Sequence, residues 1–321
     1  MPNTPHRHHC VPQLLLQNFA DATGSLWVYD TEQRKCWKTR PKSAGFEGNF
    51  YARDLKGDKP DYSGIENFLG DNIDSPGADA IKGLLARECL SGERWWAFLG
   101  FVAAQMQRTP VTLEQRASAM TPVLQESFRR MANYSAEFKE GLLARGMTED
   151  EIARMVTLVN AGKMTVTPHR DHLLTGAIRM IETIADELSQ MHWTFLAVPV
   201  GESDLIIGDH PVTLADSVSN LIGLRNPNIE LLLPLSLRMV ACARRDGPNS
   251  YGELALGMSQ LINERTLGCA RRFIFAGAQS DELLKDAIRF RGTGPGVQTR
   301  QVQAGKGLIH FAEFRYPEAT D

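Results

Sequence analysis

Residues 171–199, DHLLTGAIRMIETIADELSQMHWTFLAVP, change their period partway along. Up to Met191 the apolar residues Leu174, Ile178, Ile181 and Ile184 recur at three and four positions, the spacing of one helix face. From Trp193 to Pro199 large apolar and aromatic residues follow one another as they do in a strand. The chain is therefore expected to be helical before this point and strand-rich after it. Downstream, strands are expected at Leu205–Gly208, Glu230–Leu235, Met239–Ala243 and Gly307–Phe314, with a helix over Ser259–Phe273. Upstream, helices are expected over Ile65–Leu69, Ala78–Leu90, Glu93–Gln107, Leu113–Phe138 and Thr148–Asn160. Ser91 is placed to cap the third, with Trp95, Leu99 and Val102 in its core, and Pro110 ends it or bends the chain just after it. Thr148 and Glu151 fit a capping box on the last.

Working further out, the strand pattern returns near the N-terminus. Ser25–Tyr29 and Lys35–Thr39 read as a hairpin turning at Asp30–Arg34, after a short helical face of Leu14, Leu15, Leu16 and Phe19. Residues 41–64 are rich in Gly, Pro, Asp and Lys and read as a packed cover loop, anchored by Asn49, Phe50 and Tyr51. Strands at both ends with helices between predict an α+β protein, in which N- and C-terminal strands form a sheet and the middle is a large helical lobe. The expected division is residues 1–64, an N-terminal segment with strands and cover loop; 65–192, the helical lobe; and 193–321, a C-terminal α/β part forming one domain with the N-terminal segment.

The bulk properties narrow the function classes. The 321 residues carry a formal net charge of −3, which does not predict a broad nucleic-acid surface but leaves room for local RNA or DNA contact. The five cysteines, Cys10, Cys36, Cys89, Cys242 and Cys269, form no CxxC pair, so neither a thiolate zinc site nor a disulfide framework is expected. No stretch reaches the roughly 18–20 apolar residues of a membrane span, and the first residues lack a signal-peptide core. The expectation is a cytoplasmic protein without membrane contact.

Several segments follow one another in a recognisable order: His9-Cys10-Val11-Pro12 leading to Phe19, Asn49-Phe50-Tyr51, Ile65-Glu66, Gln107-Arg108-Thr109-Pro110, Gly208-Asp209-His210-Pro211-Val212, Leu233-Pro234-Leu235-Ser236, and Asn263 in the late helix. In this order the chain resembles the domain-of-unknown-function family 4238, from His9 to about Phe275. Cys10 departs from the aromatic residue usual there, and His210 stands where Asn is expected. The resemblance implies no known reaction.

Function has to be read from residue types. His9 abuts the apolar run and is a candidate acid, base or ligand, whereas His6 and His8 read as a loosely held tail. Asp209 and His210 end a short apolar strand before Pro211, a placement suited either to a cleft or to a simple turn. Arg108 at a helix C-terminus satisfies the helix dipole or clamps an anion. Glu66 is a general base, a ligand or a solvated first-turn glutamate. The candidate catalytic residues are thus His9, Glu66, Asp209 and His210, and the candidate substrate-binding residues Arg108, Gln107, Asn49, Tyr51 and Asn263. His169 and His172 are a weak metal pair, and residues 292–296 read as a surface loop without the features of a P-loop. Two functions compete. One is a hydrolase, a phosphodiesterase or nuclease in bacterial defence, assisted by a divalent metal. The other is a non-catalytic module that binds a small anionic ligand or a partner protein.

Overall fold

The structure is a computed structural model and describes residues 7–53, 61–216, 218, 222–304 and 307–317. In chain order its elements are β1 (Arg7–His9), α1 (Gln13–Leu16), β2 (Leu26–Asp30), β3 (Lys35–Thr39), β4 (Phe46–Gly48), α2 (Gly64–Leu69), α3 (Ser75–Leu85), α4 (Gly92–Gln107), α5 (Pro110–Tyr134), α6 (Ala136–Leu143), α7 (Glu149–Asn160) and α8 (Arg170–Ser189). After them come β5 (His192–Ala197), β6 (Ile207–Gly208), β7 (Thr213–Asp216), β8 (Ile229–Ser236), β9 (Met239–Arg244), β10 (Ser250–Glu253), α9 (Met258–Cys269), β11 (Phe273–Ala276), α10 (Asp281–Phe290), β12 (Gly296–Ala304) and β13 (Gly307–Arg315). A π turn at Gly70–Asp74 joins α2 to α3. The fold is α+β, as the change of period at residues 191–193 predicts.

One sheet has the order β3-β2-β11-β6, so strands from both ends of the chain lie side by side. Val28 pairs with Trp37 on one side and Phe275 on the other. A second sheet has the order β10-β5-β9-β8-β7, antiparallel except for β10 on β5. Its central strands are buried along their length, Leu231 to Leu235 in β8 and Val240 to Ala243 in β9. Such strands are covered on both faces and read as continuous apolar runs, without alternation.

From Phe98 onward the α4 helix is apolar on most sides because it is buried on most sides, whereas Gly92–Arg94 and Trp96 at its start are exposed. Phe98 packs its ring on Trp193 and Phe195 of β5, at 5.0 and 5.7 Å between centroids. Gly77 lets α3 approach: a Cβ there would stand 2.6 Å from the Phe101 side chain. This packing carries the C-terminal end of α4, and Arg108 with it, into the interior.

The chain divides into two compact units. One holds the residues up to Leu113, Leu174–Gly296 and the residues from Phe314; the other holds Glu114–Leu173 and Val297–Glu313.

Some expectations need correction. The helix expected to reach Leu90 stops at Leu85, and Arg87 turns the chain with a φ of 60°. The single helix expected over Leu113–Phe138 is two, because the Ser135 side chain accepts the Phe138 N–H and starts α6 afresh. The late helix ends at Cys269 instead of Phe273, and Phe273–Ala276 forms β11, recruited by Tyr29 and its neighbours. The glycine-rich loop leads into a strand, β12, that pairs with β13. Trp95 is half-buried, set edge-on to Trp193, while Leu99 and Val102 are fully buried. The Thr148–Glu151 capping box is present. His6 and residues 54–60 of the cover loop lie outside the described residues.

Candidate functional site

Two short strands set the first residues of the site. β1 pairs antiparallel with β4, placing His8 opposite Glu47 and His9 opposite Phe46. Gly45 holds this turn with a φ of 67°, and its carbonyl accepts the N–H groups of Cys10 and Val11. Successive strand residues face opposite ways. His8 therefore points inward and Arg7 and His9 share the other face.

His8 is not part of a loose tail. It is buried, its Nδ1 accepts the Tyr51 N–H at 2.5 Å, and its ring stacks on Tyr51. Tyr51 is itself the centre of the arrangement. Its hydroxyl lies 3.4 Å from the His9 carbonyl oxygen and 3.3 Å from that of Arg108. Burial pushes the Tyr51 hydroxyl well above its usual range. Asn49 takes a left-handed φ of 54°, which turns the chain so that Phe50 and Tyr51 enter the core.

His9 and Glu66 meet at the edge. Glu66 lies in the first turn of α2, where the helix dipole favours a carboxylate. Its Oε1 accepts the His9 backbone N–H at 3.1 Å and stands 3.6 Å from His9 Nδ1. These side chains remain 23% and 30% exposed. His9 Nε2 is closed to solvent and has no hydrogen-bond partner among the described residues.

Arg108, by contrast, is 2% exposed. Its Nη1 and Nη2 donate to Asp74 at 2.9 and 2.6 Å, a two-pronged pair. With its amide turned so that donor does not face donor, Gln105 offers its oxygen to Arg108 Nε at 3.0 Å. Burial works against the guanidinium charge, but Asp74, Tyr51 and Glu66 outweigh it and the net shift is upward. Gln107 beside it is buried too.

Asp209 is 8% exposed and spends both oxygens on the backbone: Oδ1 accepts from Arg271 N–H, and Oδ2 from Arg272 and Phe273 N–H, all at 2.8–2.9 Å. Burial raises its carboxyl, and these three bonds oppose the rise. His210 Nδ1 lies 2.8 Å from Thr109 Oγ1, and burial lowers the ring to about 4, so it is neutral near pH 7. Asn263 grips the chain before β6, accepting the Ile206 N–H and donating to the Asp204 carbonyl.

The nominated residues therefore interlock in part. His9, Tyr51, Glu66 and Arg108 form one bonded network, and Asp209 is near enough for its charge, with those of Glu47, Arg108 and Glu66, to act on the buried Cys10 thiol. Burial is the first cause of that thiol's raised pKa. They do not share one open cleft: Arg108 and Asp209 are sealed and occupied by protein partners, and the accessible part is His9 with Glu66. Sequence reasoning missed Asp74, which gives no local signal, and Arg7. The two-residue spacing of Arg7 and His9 on one strand was the available clue. Arg7 is exposed, with its guanidinium 4.8 Å from the Phe46 ring centre.

Among the described residues no three His, Cys, Asp or Glu side chains converge so as to hold a metal ion, the His169–His172 pair included. Among them, too, no helix is long and apolar enough to cross a membrane. A family model described as a protein of unknown function (DUF4238) matches residues 7–280. No curated protein and no solved structure matches the chain.

Proposed function

Since the chain belongs to the DUF4238 family, proteins of unknown function, we propose a function from the site alone: hydrolysis of an anionic, phosphodiester-type substrate by acid–base chemistry at His9. The observation that carries this reading is the half-exposed His9–Glu66 pair with Arg7 beside it on the same strand face. His9 is the acid or base, Glu66 orients its ring, and Arg7 holds the anion. Arg108 and Asp209 hold the frame instead of touching substrate. The unpaired His9 Nε2 supports the reading, because an unsatisfied enclosed nitrogen costs about 1–3 kcal/mol and is most often retained for a reason. Side chains around Nε2 have to part for substrate to reach it. A divalent metal would need further ligands besides His9 and Glu66, so the metal-free version is preferred.

The competing reading is a non-catalytic module that binds an anion on the same patch. The sealing of Arg108 and Asp209 favours it. Assay of the purified protein on short RNA and on bis(p-nitrophenyl) phosphate, in a chelator and with added divalent cations, separates the two. Hydrolysis that survives the chelator and falls about 10²–10⁴-fold in His9→Gln, the usual range for one acid–base group, supports the hydrolase. No turnover under any condition, with inorganic phosphate still perturbing the His9 ring resonances, supports the binding module. Neither turnover nor binding sinks both.

A further inference from the structure

The edge of the five-stranded sheet carries a second charged cluster, which the sequence did not single out. β7, β8, β9 and α9 line a cleft of about 550 Å³, within the ordinary range for small-molecule sites. Glu230 on β8 stands in register with Arg244 on β9, and Arg265 reaches it from α9. Glu230 Oε1 accepts from Arg265 Nη1 at 2.7 Å, while Oε2 accepts from Arg244 Nε at 2.9 Å and from Arg244 Nη2. The Glu230 side chain is only 19% exposed. A guanidinium carries five N–H donors. Most of those on Arg265 are unspent on protein acceptors among the described residues, and besides Glu230 Arg244 meets the Cys242 thiol and the charge of Asp246.

Two cations on one half-buried carboxylate leave donors suited to an anion, and arginine is the side chain that reads a carboxylate in two-point fashion. Yet Asp216 and Asp246 also line the cleft, so it holds two guanidiniums against three carboxylates. A multiply charged anion is disfavoured there. Asp216 is buried and tied to the Asn226 amide and the Val218 N–H, whereas Asp246 is exposed at the turn after β9. Met258 and Ile229 add apolar wall.

We propose that this cleft binds a small zwitterion of the α-amino acid type, its carboxylate on Arg244 and Arg265, its ammonium toward Asp246 and its side chain against Met258. Both signs of charge are needed to match the lining, and the apolar wall leaves room for a side chain. The proposal does not depend on the chemistry at His9.

Calorimetric titration of the full chain with the common amino acids tests it. The expected result is binding of at least one apolar amino acid, weakened tenfold or more when the ligand lacks either its amine or its carboxylate. Asp246→Asn, at an exposed turn where folding is not in question, and Arg265→Lys, which keeps the charge beside Glu230, are each expected to weaken binding tenfold or more. No amino acid bound at millimolar concentration overturns the proposal. So does equal binding of the carboxylate without its amine, inorganic phosphate preferred over any amino acid, or affinity unchanged in Asp246→Asn.

Discussion

A guanidinium 2% exposed has to find a carboxylate, and Arg108 finds Asp74, 34 residues earlier in the chain. Arg108 lies at the C-terminal end of α4, where a helix dipole alone would tolerate it, and the sequence offered no reason to think of Asp74. Truncating one partner of a buried pair leaves the other charged and uncompensated. Asp74→Ala is therefore expected to cost about 3–5 kcal/mol, read from denaturant midpoints. Replacing Arg108 and Asp74 together by Met and Leu is expected to cost much less. His210 makes a pH prediction. Burial lowers its ring from 6.5 to about 4, so the unfolded chain binds a proton that the native state refuses. Its contribution to stability is whole above pH ~6.5 and is lost as the pH falls toward 4. At about 1.4 kcal/mol per pH unit the loss reaches the order of 3 kcal/mol. Urea midpoints between pH 7 and 4 are expected to fall in the native protein and to flatten in His210→Asn. Asp209 works in the other sense: raised by burial, its contribution is present at acid pH and shrinks as pH rises through the native pKa.

At the scale of elements, α3 and α4 meet through Gly77, where an added Cβ would stand 2.6 Å from Phe101. In a free helix Gly→Ala gains about 1 kcal/mol. Here the helix cannot gain without pushing Phe101, so Gly77→Ala is expected to lower stability by about 1–3 kcal/mol, and thermal melting shows the sign directly. A stabilised variant would mean that the two helices separate easily. The aromatic run of α4 illustrates how far periodicity reaches. Leu99 and Val102 are core as expected, with Phe98 beside them, but Trp95 lies one turn nearer the surface and is half-buried. A helix that is apolar on most sides does not tell which of its ends is deeper. β11 shows the opposite limit. Phe273 reads as the last residue of a helix, yet with β2 and β6 laid on either side Phe273 to Ala276 form a strand.

For the molecule as a whole, the shared sheet is the main consequence. β2 supplies Tyr29 and Val28 to the core, and β11 pairs with it along Phe273 to Ala276. A chain begun at residue 65 loses β2 and β3 and leaves β11 with only the two residues of β6. Such a chain is expected not to fold cooperatively, seen as loss of a sigmoidal thermal transition in circular dichroism. Cooperative melting of that fragment would show that the C-terminal strands stand alone.

The sequence by itself determined the α+β class, the family, the hairpin of β2 and β3, the capping box at Thr148 and the burial of Tyr51. These follow from short-range pattern: a period, a cap, or an aromatic anchor among turn residues. It also gathered the segments that carry His9, Glu66, Arg108 and Asp209. Only the tertiary structure decided what those side chains face. Asp209 meets three backbone N–H groups, Arg108 meets Asp74, and His8 turns inward while Arg7 and His9 turn out. The reason is physical. Whether a charged group is an open reagent or a sealed strut depends on its desolvation and its partner, and both are set by residues far away in the chain.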